Sequence, residues 1–164
     1  MLTGVKYSME SEKIKFEFIF ISEYWNNPPY IDISIDGSIS YSGFIEKKIS
    51  KVVFYKSLDF KKHKLCISRK GKTDNETKIL EDGTFKTQTL TLKTIKIDNI
   101  NIRNLAWHYS MFYPEYSQSY RDENPNLTDA IQGELVFGHN GLWEYQFSSP
   151  HYYDVVNKVR GYAQ

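Results

Sequence analysis

One cysteine in 164 residues, Cys66, excludes an intrachain disulfide framework and a thiolate-rich zinc centre. Its strand-like setting, HKLCISR, predicts a buried and inert thiol. An excess of one charge is also missing. Against 20 Asp and Glu stand 21 Lys and Arg, and a net charge of +1 gives no global field to select nucleic acid or a membrane. No apolar run approaches the ~20 residues needed to cross a bilayer. The opening MLTGVKYSMESEK lacks the apolar stretch of a secretory leader, which predicts folding in a cytoplasm. Gly, Ala, Arg and Pro together number only 21, whereas Phe, Tyr, Met, Ile, Asn and Lys number 69. That skew implies an AT-rich gene, and it favours pleated surfaces over helices.

Catalytic signatures are scarce as well. There is no G-x-S-x-G elbow, no phosphate-binding loop and no dinucleotide fingerprint. The four histidines, His63, His108, His139 and His151, form neither HxH nor HExxH. His139 and His151 fall in a turn and in a first helical turn, both ordinary surface settings. DISIDG has the opening spacing of a calcium-binding EF-hand loop, through Asp32, Ser34, Asp36 and Gly37. The bidentate Glu such a loop needs at its twelfth position is replaced by Gly43. These absences predict a protein that is not an enzyme.

What is present is period-2 alternation. In KIKFEFIFI, Ile14, Phe16, Phe18 and Phe20 share one face and Lys13, Lys15 and Glu17 the other. YIDISIDG repeats the pattern, ends on an Asp-Gly turn, and has SISYSGFIE as its hairpin partner. SKVVFYKSL, HKLCISRK, QTLTLKTIKID, NINIRNLAW, GELVFG and LWEYQFS supply further strands. The last two flank HNG, where Asn140-Gly141 suits a type I′ turn. Strand following strand predicts a single all-β domain over residues 1–164, a two-sheet antiparallel sandwich with its core in 12–147. One short helix is expected over 149–161, with Ser149 as cap, Pro150 first and Gly161 last. Two long irregular stretches, 69–86 and 113–132, are long enough to be functional.

Ring-rich segments carry the candidate binding residues. EYWNNPPY places Tyr24, Trp25 and Asn26 at a loop end stiffened by Pro28-Pro29, and rings beside side-chain amides suit either a sugar or a subunit interface. NLAWHYSMFYPEYSQSY, residues 104–120, adds Trp107, Tyr113, Tyr116 and Tyr120. Its first half is expected to close the core and its second half to present rings to a partner. Charge is uneven too: ten Lys or Arg against two acids between Glu46 and Lys72, and five acids against Arg121 alone between Glu115 and Glu134. Solvated strand faces and a wet loop account for this, and a polar docking subunit would use it.

KIKFEFIFISEYWNNPPYIDISIDG and LTLKTIKIDNINIRNL, over about residues 13–105, resemble carbohydrate-binding jelly-roll modules, especially the small calcium-dependent xylan-binding family. The order of elements is also similar to small structural proteins of tailed bacteriophages of the cyanophage-type myoviruses. The resemblance implies a jelly-roll-like sandwich, calcium as the one conceivable cofactor, and Asp98 as the one acid to carry across as a ligand. The plain reading of Asp98-Asn99 is a turn. Together these features lead to the expectation of a non-enzymatic virion component, made in the host cytoplasm, that docks to other virion proteins or to copies of itself. The alternative is a module that binds a surface polysaccharide. Neither reading involves nucleic acid or a membrane.

Overall fold

A computed structural model describes residues 10–73 and 76–163. Strands β1 (Ser11–Glu23), β4 (Ile49–Asp59), β8 (Thr89–Ile97), β9 (Ile100–Asn101) and β12 (Val136–Phe137) form one sheet, in which β12, β8, β1 and β4 lie side by side and β9 pairs with the end of β8. The facing sheet runs β11 (Ile131–Gln132), β10 (Ser110–Pro114), β13 (Gly141–Ser148), β5 (Lys62–Lys70), β2 (Tyr30–Ile35) and β3 (Ser38–Phe44). All pairings are antiparallel. The two-sheet β-sandwich expected from the alternation is therefore the fold. Strands β6 (Lys78–Ile79) and β7 (Phe85–Lys86) pair only with each other.

The inward side chains are those the alternation marks. Ile14, Phe16, Phe18 and Phe20 of β1 are fully buried against Ile31, Ile33 and Ile35 of β2 and Trp143, Tyr145 and Phe147 of β13. Rings from the two sheets meet where Phe16 packs edge-on to Phe147 at 6.0 Å. In β8 the buried residues read Leu90, Leu92, Ile95, Ile97, with one step of three instead of two. The pairing with β1 slips at that point, Ile19 facing Thr94 and Phe20 facing Leu92, so Lys93 is the extra residue of a β-bulge. Asp36-Gly37 (φ 53° and 82°) and Asp98-Asn99 (φ 53° and 64°) make the tight turns that β2–β3 and β8–β9 require.

Four local expectations are corrected. GELVFG and LWEYQFS do not form a hairpin through Asn140-Gly141, because β12 joins β8 in one sheet and β13 joins β5 in the other. NINIRNLAW is strand only to Asn101 and then becomes helix α1 (Arg103–Tyr109). Ile102, Leu105 and Ala106 are buried together, a helical spacing of three and four that overrides alternation. Trp107 consequently turns outward. The last helix, α3, runs His151–Ala163, and the Ser149 hydroxyl bonds the Glu12 carboxylate instead of capping it. Cys66 is half-buried on the outer face rather than in the core, with burial pushing its thiol pKa up.

His151 is also not at the surface. It is fully buried, edge-on to Phe147 at 6.1 Å, and its backbone amide donates to Glu12 Oε1 at 2.8 Å. Burial pulls its pKa below the ordinary 6.5 despite the opposing charges of Asp154, Glu12 and Asp98, and Lys158 lowers it further. In the unfolded chain the ring takes up its proton first as pH falls. Stability from this site is thus complete above about pH 6.5 and declines as pH drops toward the lowered folded value. Urea melts between pH 7.5 and 5 should show that decline, and His151→Phe should flatten it. An unchanged slope in the variant would assign the acid sensitivity elsewhere.

Candidate functional site

At one end of the sandwich an open groove of about 840 Å³ lies between the loop after β5, the β6–β7 arm, and the segment after β10. Its volume falls within the ~300–1,000 Å³ typical of small-ligand clefts. One wall is aromatic. Ser117 caps helix α2 (Gln118–Glu123) by accepting from the Tyr120 amide, and the four-residue spacing brings Tyr116 and Tyr120 to the same side. Their rings stack at 5.5 Å, and the His139 imidazole stands edge-on to both, at 4.8 and 4.6 Å. The Arg121 guanidinium lies over Tyr116 at 5.4 Å, and the Tyr116 hydroxyl donates to the Thr128 carbonyl. Tyr116 is therefore a buttress, half-buried and held by Tyr120, His139, Arg121 and Thr128. Tyr120 is the more exposed of the two rings, at 38%.

Burial, with help from Lys72 and Arg69, holds the His139 pKa below 6.5, so the ring is neutral at pH 7. A neutral imidazole both donates and accepts a hydrogen bond. Thr73, Thr77, Thr87, Ser117 and Ser119 also line the groove, together with Glu115 and Glu123. The groove thus offers exposed aromatic rings, Tyr120 and Phe85, among small donors and acceptors.

Beneath it runs a buried polar chain that sets the loops. Arg69 ends β5 on the inward face and is 1% exposed. Its Nη1 donates to Asn140 Oδ1 at 3.0 Å and its Nη2 to the Gln88 carbonyl at 2.9 Å. Asn140 also accepts from the Lys72 amide and donates to the Lys72 carbonyl. Gln88 donates to the Asn27 carbonyl at 2.7 Å, and Asn27 donates twice to the fully buried Glu76 carboxylate, at 2.9 and 3.1 Å. Burial lowers the Arg69 pKa to about 10, opposed by the charge of Glu76, so the guanidinium is charged at neutral pH.

Of the residues singled out in the sequence, Tyr116 and Tyr120 come together in this groove and the rest do not. Tyr24 donates its hydroxyl to the Glu46 carbonyl beside a separate shallow recess. The Trp25 indole donates to the Glu76 carbonyl at 2.8 Å, and Asn26 reaches Glu76 Oε1 at 3.5 Å, so this loop serves the polar chain. Trp107 covers Gly133, and Tyr113 is exposed beside buried Phe112 on β10. The groove adds His139, Lys72, Asn140 and Phe85, which no local motif marks. Asp98 occupies its turn. Among the described residues no three His, Cys, Asp or Glu side chains gather, and the buried Glu76 is already satisfied by amides.

No protein-family model matches the chain, and no curated protein does. Two solved structures share its fold. One is vCBM60 in complex with galactobiose, with a TM-score of 0.51 and 7% identity, covering 80% of this chain and 96% of the other. The second is a selenomethionine form of vCBM60, described as part of an evolutionary link by circular permutation between two families of calcium-dependent carbohydrate binding modules. It gives a TM-score of 0.54 and 6% identity over 80% of this chain and 89% of the other. At such identity the likeness establishes a carbohydrate-binding-module-like sandwich.

Proposed function

We propose that the protein is a non-enzymatic glycan-binding module whose ligand lies in the groove against Tyr120. The observation that carries this is the groove itself, a stacking face and a neutral imidazole set among hydroxyls at the end of a sandwich shared with sugar-binding modules. Pyranose rings stack their C–H faces on aromatics while their hydroxyls need short-range donors and acceptors. The fold likeness supports this reading over the docking subunit expected first. In a virion, the setting suggested by the phage resemblance, such a module would hold the particle to a surface polysaccharide.

A glycan array followed by calorimetry on the best ligand tests the reading. Tyr120→Ala should weaken binding by about tenfold, the scale of a single interface hot spot. Helix α2 contains no buried residue, so the variant should melt with the wild type. A blank array, or an unaffected Tyr120→Ala, would remove the proposal.

A further inference from the structure

The β6–β7 arm belongs to neither sheet, yet its turn is well built. Gly83 has φ 86°, the Leu80 amide donates to the Thr84 carbonyl at 2.7 Å, and Asp82 Oδ1 accepts from the Thr84 amide at 3.0 Å. Isolated two-stranded ribbons are marginal in water. This one nevertheless displays an apolar pair, Ile79 at 79% and Phe85 at 66% exposure, directly opposite one another across the ladder. Opposed residues of an antiparallel pair share a face, as do alternate residues along each strand. Ile79 and Phe85 therefore lie on the same face as Thr77 and Thr87, whose hydroxyls bond at 2.9 Å at the base of the arm. Thr77, Phe85 and Thr87 all line the groove. On the arm's other face Lys78 sits over the Trp25 ring at 5.7 Å, bracing the arm from behind.

From this we infer that Phe85 is a second stacking platform and a determinant of specificity, forming with Tyr120 a clamp that takes a pyranose ring by both faces. The inference rests on the glycan-binding reading of the groove and deepens it. A ring held on one face tolerates an axial hydroxyl on the other. A ring held on both does not, because the hydroxyl would separate one platform from the C–H surface and lose its own water. The preferred ligand is therefore a chain of sugars with all-equatorial substituents. An axial hydroxyl counts against binding.

Calorimetry with cellohexaose, equatorial throughout, and mannohexaose, with an axial 2-hydroxyl on each ring, tests this. The wild type should prefer cellohexaose by roughly tenfold, the scale of one lost platform. Phe85→Ala should weaken cellohexaose by a similar factor and leave mannohexaose within about twofold, so the preference collapses. Phe85→Trp should restore it. Tyr120→Ala should weaken both sugars. Because Phe85 is exposed and its arm pairs only with itself, melting should be unchanged in the Phe85 variants. Equal affinities for the two sugars, or a preference that survives Phe85→Ala, would overturn the clamp while leaving the glycan-binding reading intact. So would array hits confined to axially substituted sugars. An array blank for every glycan would overturn both.

Discussion

Arg69→Met should cost about 3–5 kcal/mol of stability, the scale for removing one member of a buried charged network. For a chain of this size that lowers the melting temperature by roughly 10 °C. The guanidinium donates to the Asn140 side chain and links this residue to the Gln88 carbonyl through two separate nitrogens. Methionine fills much of the same volume but leaves Gln88 O without that donor and removes one of the two cations, with Lys72, whose charges act on the buried Glu76. Arg69→Lys should recover little, since one ammonium cannot reproduce a rigid fork that reaches two acceptors. Arg69→Met combined with Glu76→Gln should be more stable than the sum of the single losses implies, because the second change removes the buried charge that has lost Arg69. Urea melts of the three variants measure this. A single-variant loss under about 1 kcal/mol, or strictly additive losses, would show that the two charges do not support one another. Glycan binding should fall with Arg69→Met too, because Lys72 and Asn140 line the groove.

The sandwich is legible in the sequence because burial on one face of a strand imposes period 2, and Phe16, Phe18, Ile33 and Tyr145 obey it without exception. Even the bulge is written in the spacing of Leu92 and Ile95. Helix α1 was within reach, since Ile102, Leu105 and Ala106 keep helical spacing, but the alternating NINI before it extends the strand pattern too far. The groove is different. Its rings come from residues 116, 120 and 139, and its far wall from 77–87, three segments whose convergence depends on which sheet each neighbouring strand joins. Asn140 illustrates the difficulty. Next to a glycine it reads as a turn residue, whereas its side chain is in fact the acceptor that ties β5 to the loop before β13. Nor does sequence distinguish a ring that stacks on ligand from one that braces a loop. Trp25 has the composition of a binding residue and the contacts of a strut.

Gly141→Ala should be nearly as damaging, by about 3 kcal/mol, although the residue lies outside the apolar core. Gly141 opens β13 directly opposite Pro114 of β10. A Cβ built there would stand 2.4 Å from the Tyr113 carbonyl oxygen and 2.9 Å from both Phe112 Cζ and Pro114 Cα. A flexible side chain could move aside, but a backbone carbonyl within a ladder cannot. The added methyl must force β10 and β13 apart, and overpacking of that kind costs ~1–3 kcal/mol before backbone strain is counted. The strain comes from φ 157°, a value that glycine tolerates better than alanine. The displacement would also reach the groove, because the Glu115 amide donates to the Asn140 carbonyl at 2.7 Å and Tyr116 follows immediately. Gly138→Ala, three residues away with nothing within 4 Å of the new methyl, should melt close to the wild type. Equal melting of the two alanine variants would mean that β10 yields to the methyl at little cost. A selective loss in Gly141→Ala, accompanied by weaker glycan binding, would tie the strand pairing of β10 and β13 to the geometry of the aromatic wall.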